Sequence, residues 1–470
     1  MLPKFLDQWA EAEEIGRGTY AVVYRVKGLV GSSWAVKCMS LSSGGVPVHL
    51  LRELWITGRL VHPQIVQVRE VYYDAPSPSP PSPSLLPSPV TPNAGCIGLR
   101  MSLCQGTLQD RLLAQGFWKG RRPLSLKNLV MLFLDLLSAL QFLHSAGFVH
   151  RDVAGRNVLV SGNRAWLSDF GLGISRYNAH GERRMSTTFM QTSWYRDPQV
   201  EQHDKKSAVR YTPATDMWSV GMLMMFALRD FPTVTEDKVF AALQRVPSSA
   251  AATESWPVDF VNAICGPLNQ ELLVERFANE LNARVWHSLA LKCLTFDPAK
   301  RVSASTLKSE MIDCWWHASA AVLLSPVKRQ EDKVKPPSLR IVLNAVQLRE
   351  VQAWQKRWLT FLQHLTKEGD AVFAQQVVEA FLGQTPEPEL ISDVCIGACV
   401  LIALKLMERV KDSERWTQGE KESLTAEYVE KVKLAEVQVL QTLKFMMGNV
   451  MPRPPSRQSR KAAVVKAKIV

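Results

Sequence analysis

At 470 residues, 46% of them apolar and 21% charged, the chain has material for two or three cored domains and too little charge for a disordered one. The net charge of +12 permits an acidic or phosphorylated partner but suits a solubilising surface better, and nucleic acid is not an expected partner. Eight cysteines without a CxxC pair imply neither a zinc framework nor a disulfide scaffold. Cys395 and Cys399, one helical turn apart in an apolar run, read as buried thiols. No signal peptide is expected at the start, and the longest apolar run, 394–404, is too short for a bilayer. The expected setting is therefore the nucleus or cytoplasm, with no membrane.

Ile15-Gly16-Arg17-Gly18-Thr19-Tyr20-Ala21-Val22-Val23 reads as strand, turn, strand. Glycines 16 and 18 let backbone amides approach a phosphate, and Val23 can cover an adenine ring. Alone, such a fragment is more often a plain hairpin; it gains force from Ala35-Val36-Lys37, a third strand with a lysine for the α/β-phosphates. Pro47 suits a helix start, and the amphipathic run after it places Glu53 where a carboxylate can pair with Lys37. Residues 74–95, with eight prolines and many serines, read as an exposed insertion between two strands. Cys96 to Leu103 then reads as a buried strand, and Leu124 to His144 as an interior helix.

That helix leads into His150-Arg151-Asp152-Val153-Ala154-Gly155-Arg156-Asn157, and Asp169-Phe170-Gly171 lies twelve residues beyond Asn157. Asp152 is placed to orient a substrate hydroxyl, while Asn157 and Asp169 offer oxygen ligands of the kind Mg²⁺ takes on a nucleoside triphosphate. ATP and Mg²⁺ are thus the expected cofactors. In this order and spacing the motifs resemble the protein kinases over residues 9–317, which implies their bilobal α+β fold and protein substrates as partners. Gly45-Val46-Pro47 followed by Leu51-Arg52-Glu53 is similar to the PSTAIRE helix of cyclin-dependent kinases, which a cyclin swings into place.

The resemblance assigns further roles. It makes Met101 the gatekeeper, puts the adenine-binding hinge at 102–104 with Cys104, and marks Thr19 and Tyr20 as sites of inhibitory phosphorylation. Thr192-Ser193-Trp194-Tyr195-Arg196-Asp197-Pro198-Gln199 resembles the segment after the activation loop, which places the activating phosphosite at Thr187 with Arg52 and Arg151 to grip it. Thr192 matches the threonine that contacts the catalytic Asp, and Asp216 the residue that braces the catalytic loop. Gln199 replaces the glutamate that pairs with Arg301, so that ion pair is expected to be lost. Ala154 stands where serine/threonine kinases carry a phosphate-neutralising lysine; Arg156 resembles the arginine that does this work in tyrosine kinases. A dual-specificity or tyrosine kinase, and a pseudokinase or scaffold that recruits or sequesters partners, therefore stay open.

Residues 318–338 read as a linker containing Ser325-Pro326-Val327-Lys328, and from 339 to 452 the pattern is helical. Trp358-Leu359, the run Cys399 to Lys405 and the run Glu436 to Phe445 resemble a cyclin box, an all-α domain. By that resemblance Lys405 and Glu436 engage the kinase beside the PSTAIRE-like helix, an intramolecular cyclin-like partner that leaves room for an external cyclin or regulator. The tail, 453–470, carries six cations and no acid, which suits a solvated terminus.

Overall fold

A computed structural model describes residues 3–28, 31–41, 45–74, 95–113, 119, 124–176, 186, 191–201, 210–228, 276–315, 368–384, 392–406 and, apart from 434 and 437, 431–440. The proline-rich insertion between 75 and 94, Thr187, the linker, Trp358 and the basic tail lie outside these residues.

Five antiparallel strands open the fold: β1 (Glu11–Arg17), β2 (Val22–Lys27), β3 (Ser33–Ser40), β4 (Glu70–Asp74) and β5 (Cys96–Ser102), in the order β1-β2-β3-β5-β4. The alternation in β2 sends Val22, Tyr24 and Val26 to one face, where they meet Leu6, Val36 and Cys38 in a small outer core. Val23, Ala35 and Met101 look the other way, onto the main core. Ala35 pairs with Met101 and Val23 with Lys37, so the register of the sheet brings these four residues together.

Against this sheet lies α1 (Val48–Thr57), entered through Pro47. Every residue from Leu50 to Thr57 is buried. A helix buried all round must be covered on more than one side. The turn at Phe170–Leu172 covers one side; on another, Trp55 meets Phe148 edge-on at 5.6 Å and Phe373 at 6.1 Å. Phe373 belongs to α8 (Glu368–Gln384), which packs with α9 (Asp393–Leu406). All residues of α9 from Cys395 to Leu406 are buried, including both cysteines.

The larger lobe is helical. In α3 (Leu126–Ser145), Leu129, Leu132, Phe133, Leu136, Leu137, Leu140 and Leu143 recur at three- and four-residue steps and form the buried stripe. Among the described residues this is one helix long and apolar enough to cross a membrane, and half of it is packed inside the protein. Three short strands, β7 (Phe148–Val149), β8 (Val158–Ser161) and β9 (Arg164–Leu167), carry the loops of the candidate site. The helices α4 (Pro198–Glu201), α5 (Pro213–Leu228), α6 (Glu280–Cys293) and α7 (Ala304–Trp315) belong to this lobe; a two-residue β6 (Gly106–Thr107) and short α2 (Leu108–Leu112) link the lobes.

One expectation is corrected here. Arg301 does keep an ion pair, because Asp197 supplies the carboxylate two residues before Gln199. Both guanidinium nitrogens engage Asp197, with Nη2 donating to Oδ1 at 2.9 Å, while the Gln199 amide donates to the Phe296 carbonyl at 3.5 Å. The pair is dry: the arginine side chain is 0% exposed and the aspartate 3%. Asp197→Ala is therefore expected to destabilise the chain by about 3–5 kcal/mol in urea denaturation, since it strands a buried guanidinium.

Candidate active site

The glycine-bearing turn between β1 and β2 is closed by the Gly18 N–H donating to the Ala21 carbonyl at 2.8 Å. Ile15 and Thr19 are exposed, and Tyr20 leans its ring over His49 of α1 at 4.8 Å between centroids. The Arg17 guanidinium is occupied by Glu14 at 2.6 Å, on the surface. At the back of the cleft, Val23, Ala35 and Met101 share one face of the sheet and Cys104 follows, half-buried. Burial lifts the Cys104 thiol to about 11, so it serves as a small apolar wall and not as a nucleophile.

Lys37 Nζ lies 2.7 Å from Glu53 and 3.1 Å from Asp169. Burial disfavours its charge, but the two carboxylates outweigh that and hold its pKa above the ordinary lysine value. Burial pushes the Glu53 carboxyl up against the pull of Lys37. Burial acts on Asp169 too, yet Lys37, His150 and the Gly171 amide together keep its pKa low. Asp169 adopts φ 62°, a left-handed conformation that aspartate tolerates better than most residues. The turn after it packs under α1, with Gly171 against His49, so the helix and the Asp169 carboxylate are held in one arrangement.

Asp216, fully buried, accepts the His150 and Arg151 amides at 2.9 Å each and the His144 ring at 2.8 Å, bracing the catalytic loop. The His150 Nδ1 accepts the Asp152 N–H at 3.2 Å, which leaves Nε2–H to donate to the Ser168 carbonyl at 3.0 Å. That histidine strut ties residue 152 to the approach to Asp169, a role its place in the motif does not reveal.

Asp152 is the centre of the arrangement. Its Oδ1 accepts from the Thr192 hydroxyl at 2.6 Å, and its Oδ2 accepts from the Asn157 amide and from Arg156 Nη2, each at 2.8 Å. Arg156 reaches the Thr192 hydroxyl as well. One cation thus touches both partners of the loop while its side chain stays 47% exposed toward solvent. Asn157 spends its Nδ2 on Asp152 and its main-chain carbonyl on Ser168, so its side-chain Oδ1 is left to join Asp169 in an all-oxygen donor set. That set fits Mg²⁺, which takes oxygen ligands and keeps waters. Among the described residues no group of three or more His, Cys, Asp or Glu forms a fuller metal cage.

Arg52 and Arg151 are both buried, and Arg151 donates through Nη1 to Ser186, the residue before Thr187, at 3.2 Å. Lys405 and Glu436 meet at 2.7 Å, with side chains 2% and 0% exposed. Together they hold main-chain groups just ahead of α1: Lys405 Nζ donates to the Val46 carbonyl at 3.1 Å, and Glu436 accepts the Val46 N–H at 2.9 Å. Gly45, at φ 86°, is the residue this grip demands, since a Cβ there would collide with the Glu436 carboxylate.

A family profile described as Protein kinase domain matches residues 9–311. The chain is 27% identical over 314 residues to cyclin-dependent kinase G-2 of Oryza sativa, covering 64% of this chain and 40% of the relative. It is 26% identical over 333 residues to cyclin-dependent kinase 12 of Caenorhabditis elegans, covering 69% and 42%. With cyclin-dependent kinase 4 of Xenopus laevis it shares 28% over 310 residues, 63% of this chain and 88% of that one. The chain thus spans about two fifths of the length of the first two relatives.

The geometry around Lys37 makes stability depend on pH in a defined way. Lys37→Met leaves Glu53 buried without its cation and raises a carboxyl pKa that burial already lifts. The costly species is the ionised one, so the penalty is present above that pKa and fades below it. Thermal unfolding midpoints are expected to fall markedly for Lys37→Met at pH 8 and by a smaller margin at pH 5.

Proposed function

The chain belongs to the protein kinase family, and from that premise we propose that it transfers the γ-phosphate of ATP to serine or threonine hydroxyls as an enzyme of the cyclin-dependent class, its own C-terminal helices standing in the cyclin's place. Asp152 orients the acceptor hydroxyl and takes its proton at Oδ1 or Oδ2. Lys37, fixed by Glu53, meets the α/β-phosphates, and the amides of the Gly16–Ala21 turn close over them. Asn157 and Asp169 would hold Mg²⁺, which neutralises charge on the phosphates when bound. Arg156 carries the cation that Ala154 lacks, delivered from two residues further on to the same pair, Asp152 and Thr192.

The contact of Thr192 with Asp152 supports serine/threonine acceptors over tyrosine despite the Ala154 and Arg156 signature of the loop. Proline-directed recognition has a physical support of its own. The Gln191 carbonyl, beside Thr192, is engaged by Arg196 Nη2 at 3.2 Å, which competes with an incoming substrate N–H for it, and proline has no N–H to satisfy.

The observation that carries the cis-activation reading is the buried grip of Lys405 and Glu436 on the Val46 backbone. The helix that bears Glu53 starts two residues later, so a hold on its entry sets where Glu53 falls. Tethering makes such docking intramolecular and independent of partner abundance. In this reading residues 339–452 form a cyclin-like domain, and Thr187, Thr19 and Tyr20 are the regulatory sites. Both the nucleus and the cytoplasm suit such an enzyme.

Full-length protein should phosphorylate serine and threonine peptides in a mixed Ser/Thr/Tyr panel, and Asp152→Asn should be blank. The double variant Lys405→Met/Glu436→Leu keeps apolar packing while deleting the grip. Its turnover is expected to fall at least tenfold; wild-type turnover would overturn activation in cis, and tyrosine labelling alone would overturn the acceptor assignment.

A further inference from the structure

Gln191 lies outside the catalytic set, yet its backbone is the furthest from ordinary space of any described non-glycine residue, at φ 107°. Residues so placed persist only where their surroundings over-determine them. Three hydrogen bonds do so here. The side-chain Nε2 donates to Ser219 Oγ at 3.1 Å, Oε1 accepts the Asp197 N–H at 3.0 Å, and the main-chain carbonyl accepts from Arg196 at 3.2 Å. The residue is 6% exposed, so water competes little for these groups.

Both side-chain anchors are themselves fixed. Ser219, on α5, donates to the Tyr195 carbonyl at 2.9 Å, and the Tyr195 hydroxyl accepts the Gly155 N–H of the catalytic loop at 3.3 Å. Asp197 is locked by Arg301. Gln191 is therefore where two fixed points converge, and the next residue in the chain is Thr192. The Thr192 N–H and hydroxyl both reach Asp152 Oδ1, at 3.3 Å and 2.6 Å. A one-residue change of backbone direction at 191 would turn both groups away from it.

We propose that Gln191 is a positioning residue: its side-chain amide latches the backbone at 191 to Ser219 and Asp197 and so lays Thr192 on Asp152. It touches no reacting atom and acts through its neighbour. The inference rests on the reading of Asp152 as the group that orients the acceptor hydroxyl. A shorter or apolar residue at 191 lacks the bonds that oppose the strain, and the strain then favours release of Thr192.

Gln191→Gly, which adopts φ 107° freely and so removes latch and strain together, is the milder control; Gln191→Leu in the full chain tests the proposal, because it deletes both side-chain bonds and keeps the strain. We expect kcat on a serine peptide to fall about tenfold, the KM for ATP to stay within twofold, and hydrogen–deuterium exchange at residues 191–197 to speed up. Ser219→Ala, which removes one anchor and leaves Gln191 in place, should shift kcat and exchange in the same direction by less. An unchanged kcat, or a lower kcat with Thr192 still as protected as in the wild type, would overturn the proposal. The exchange measurement reads the latch whether or not the chain turns over, so a wild-type protein without kinase activity would sink the functional reading and leave this one decided on its own.

Discussion

The structure depends on the ion pair between Lys37 and Glu53. The lysine sits on the sheet and the glutamate on α1, two elements whose backbones share no hydrogen-bonded ladder, so the 2.7 Å contact exists only where α1 is pressed in place. The pair also faces Asp169 at 3.1 Å, so three charges stand or fall together. Burying such charges costs several kcal/mol per ion unless they are paired. An α1 displaced by a single turn would leave Glu53 without its cation and Lys37 with one carboxylate fewer.

What presses on α1 comes from both directions along the chain. From below, the Asp169–Gly171 turn packs under the helix; from outside, Phe373 of α8 meets Trp55, while Lys405 of α9 and Glu436 hold the entry at Val46. The outer contact combines an apolar part, which supplies most of the energy, with the buried Lys405–Glu436 pair, which supplies register. Because the pair binds main-chain groups, it reads the path of the chain and not the side chains of the helix. Trp55 touches Phe148 as well, immediately before the catalytic loop, so the same residue packs against both the C-terminal helices and the strand that delivers Asp152.

Much of this was legible in the sequence, and the reasons are physical. The loop at 150–157 and the Asp169 turn act through polar side chains at short fixed spacings, and such spacings survive as pattern. The strands and α1, α3 and α9 show through hydrophobic periodicity, to within two or three residues at their ends. Two features were hidden. The Asp197–Arg301 pair spans 104 positions in sequence, and a carboxylate displaced by two residues satisfies the guanidinium as well as one at the expected place. Gln191 carries its role through a backbone angle and bonds to Ser219 and Asp197, none of which a residue type announces. The swap of Ala154 and Arg156 was visible as a mismatch, but only the geometry shows one guanidinium spanning Asp152 and Thr192.

The central claim is that the C-terminal helices set the position of α1 through the backbone at its entry. Gly45→Ala tests it with one methyl group, placed where the Glu436 carboxylate leaves no room. Hydrogen–deuterium exchange across residues 48–57 of the full-length chain is the direct readout. The account predicts faster exchange throughout α1 in Gly45→Ala than in the wild type; wild-type protection of α1 in that variant would contradict it.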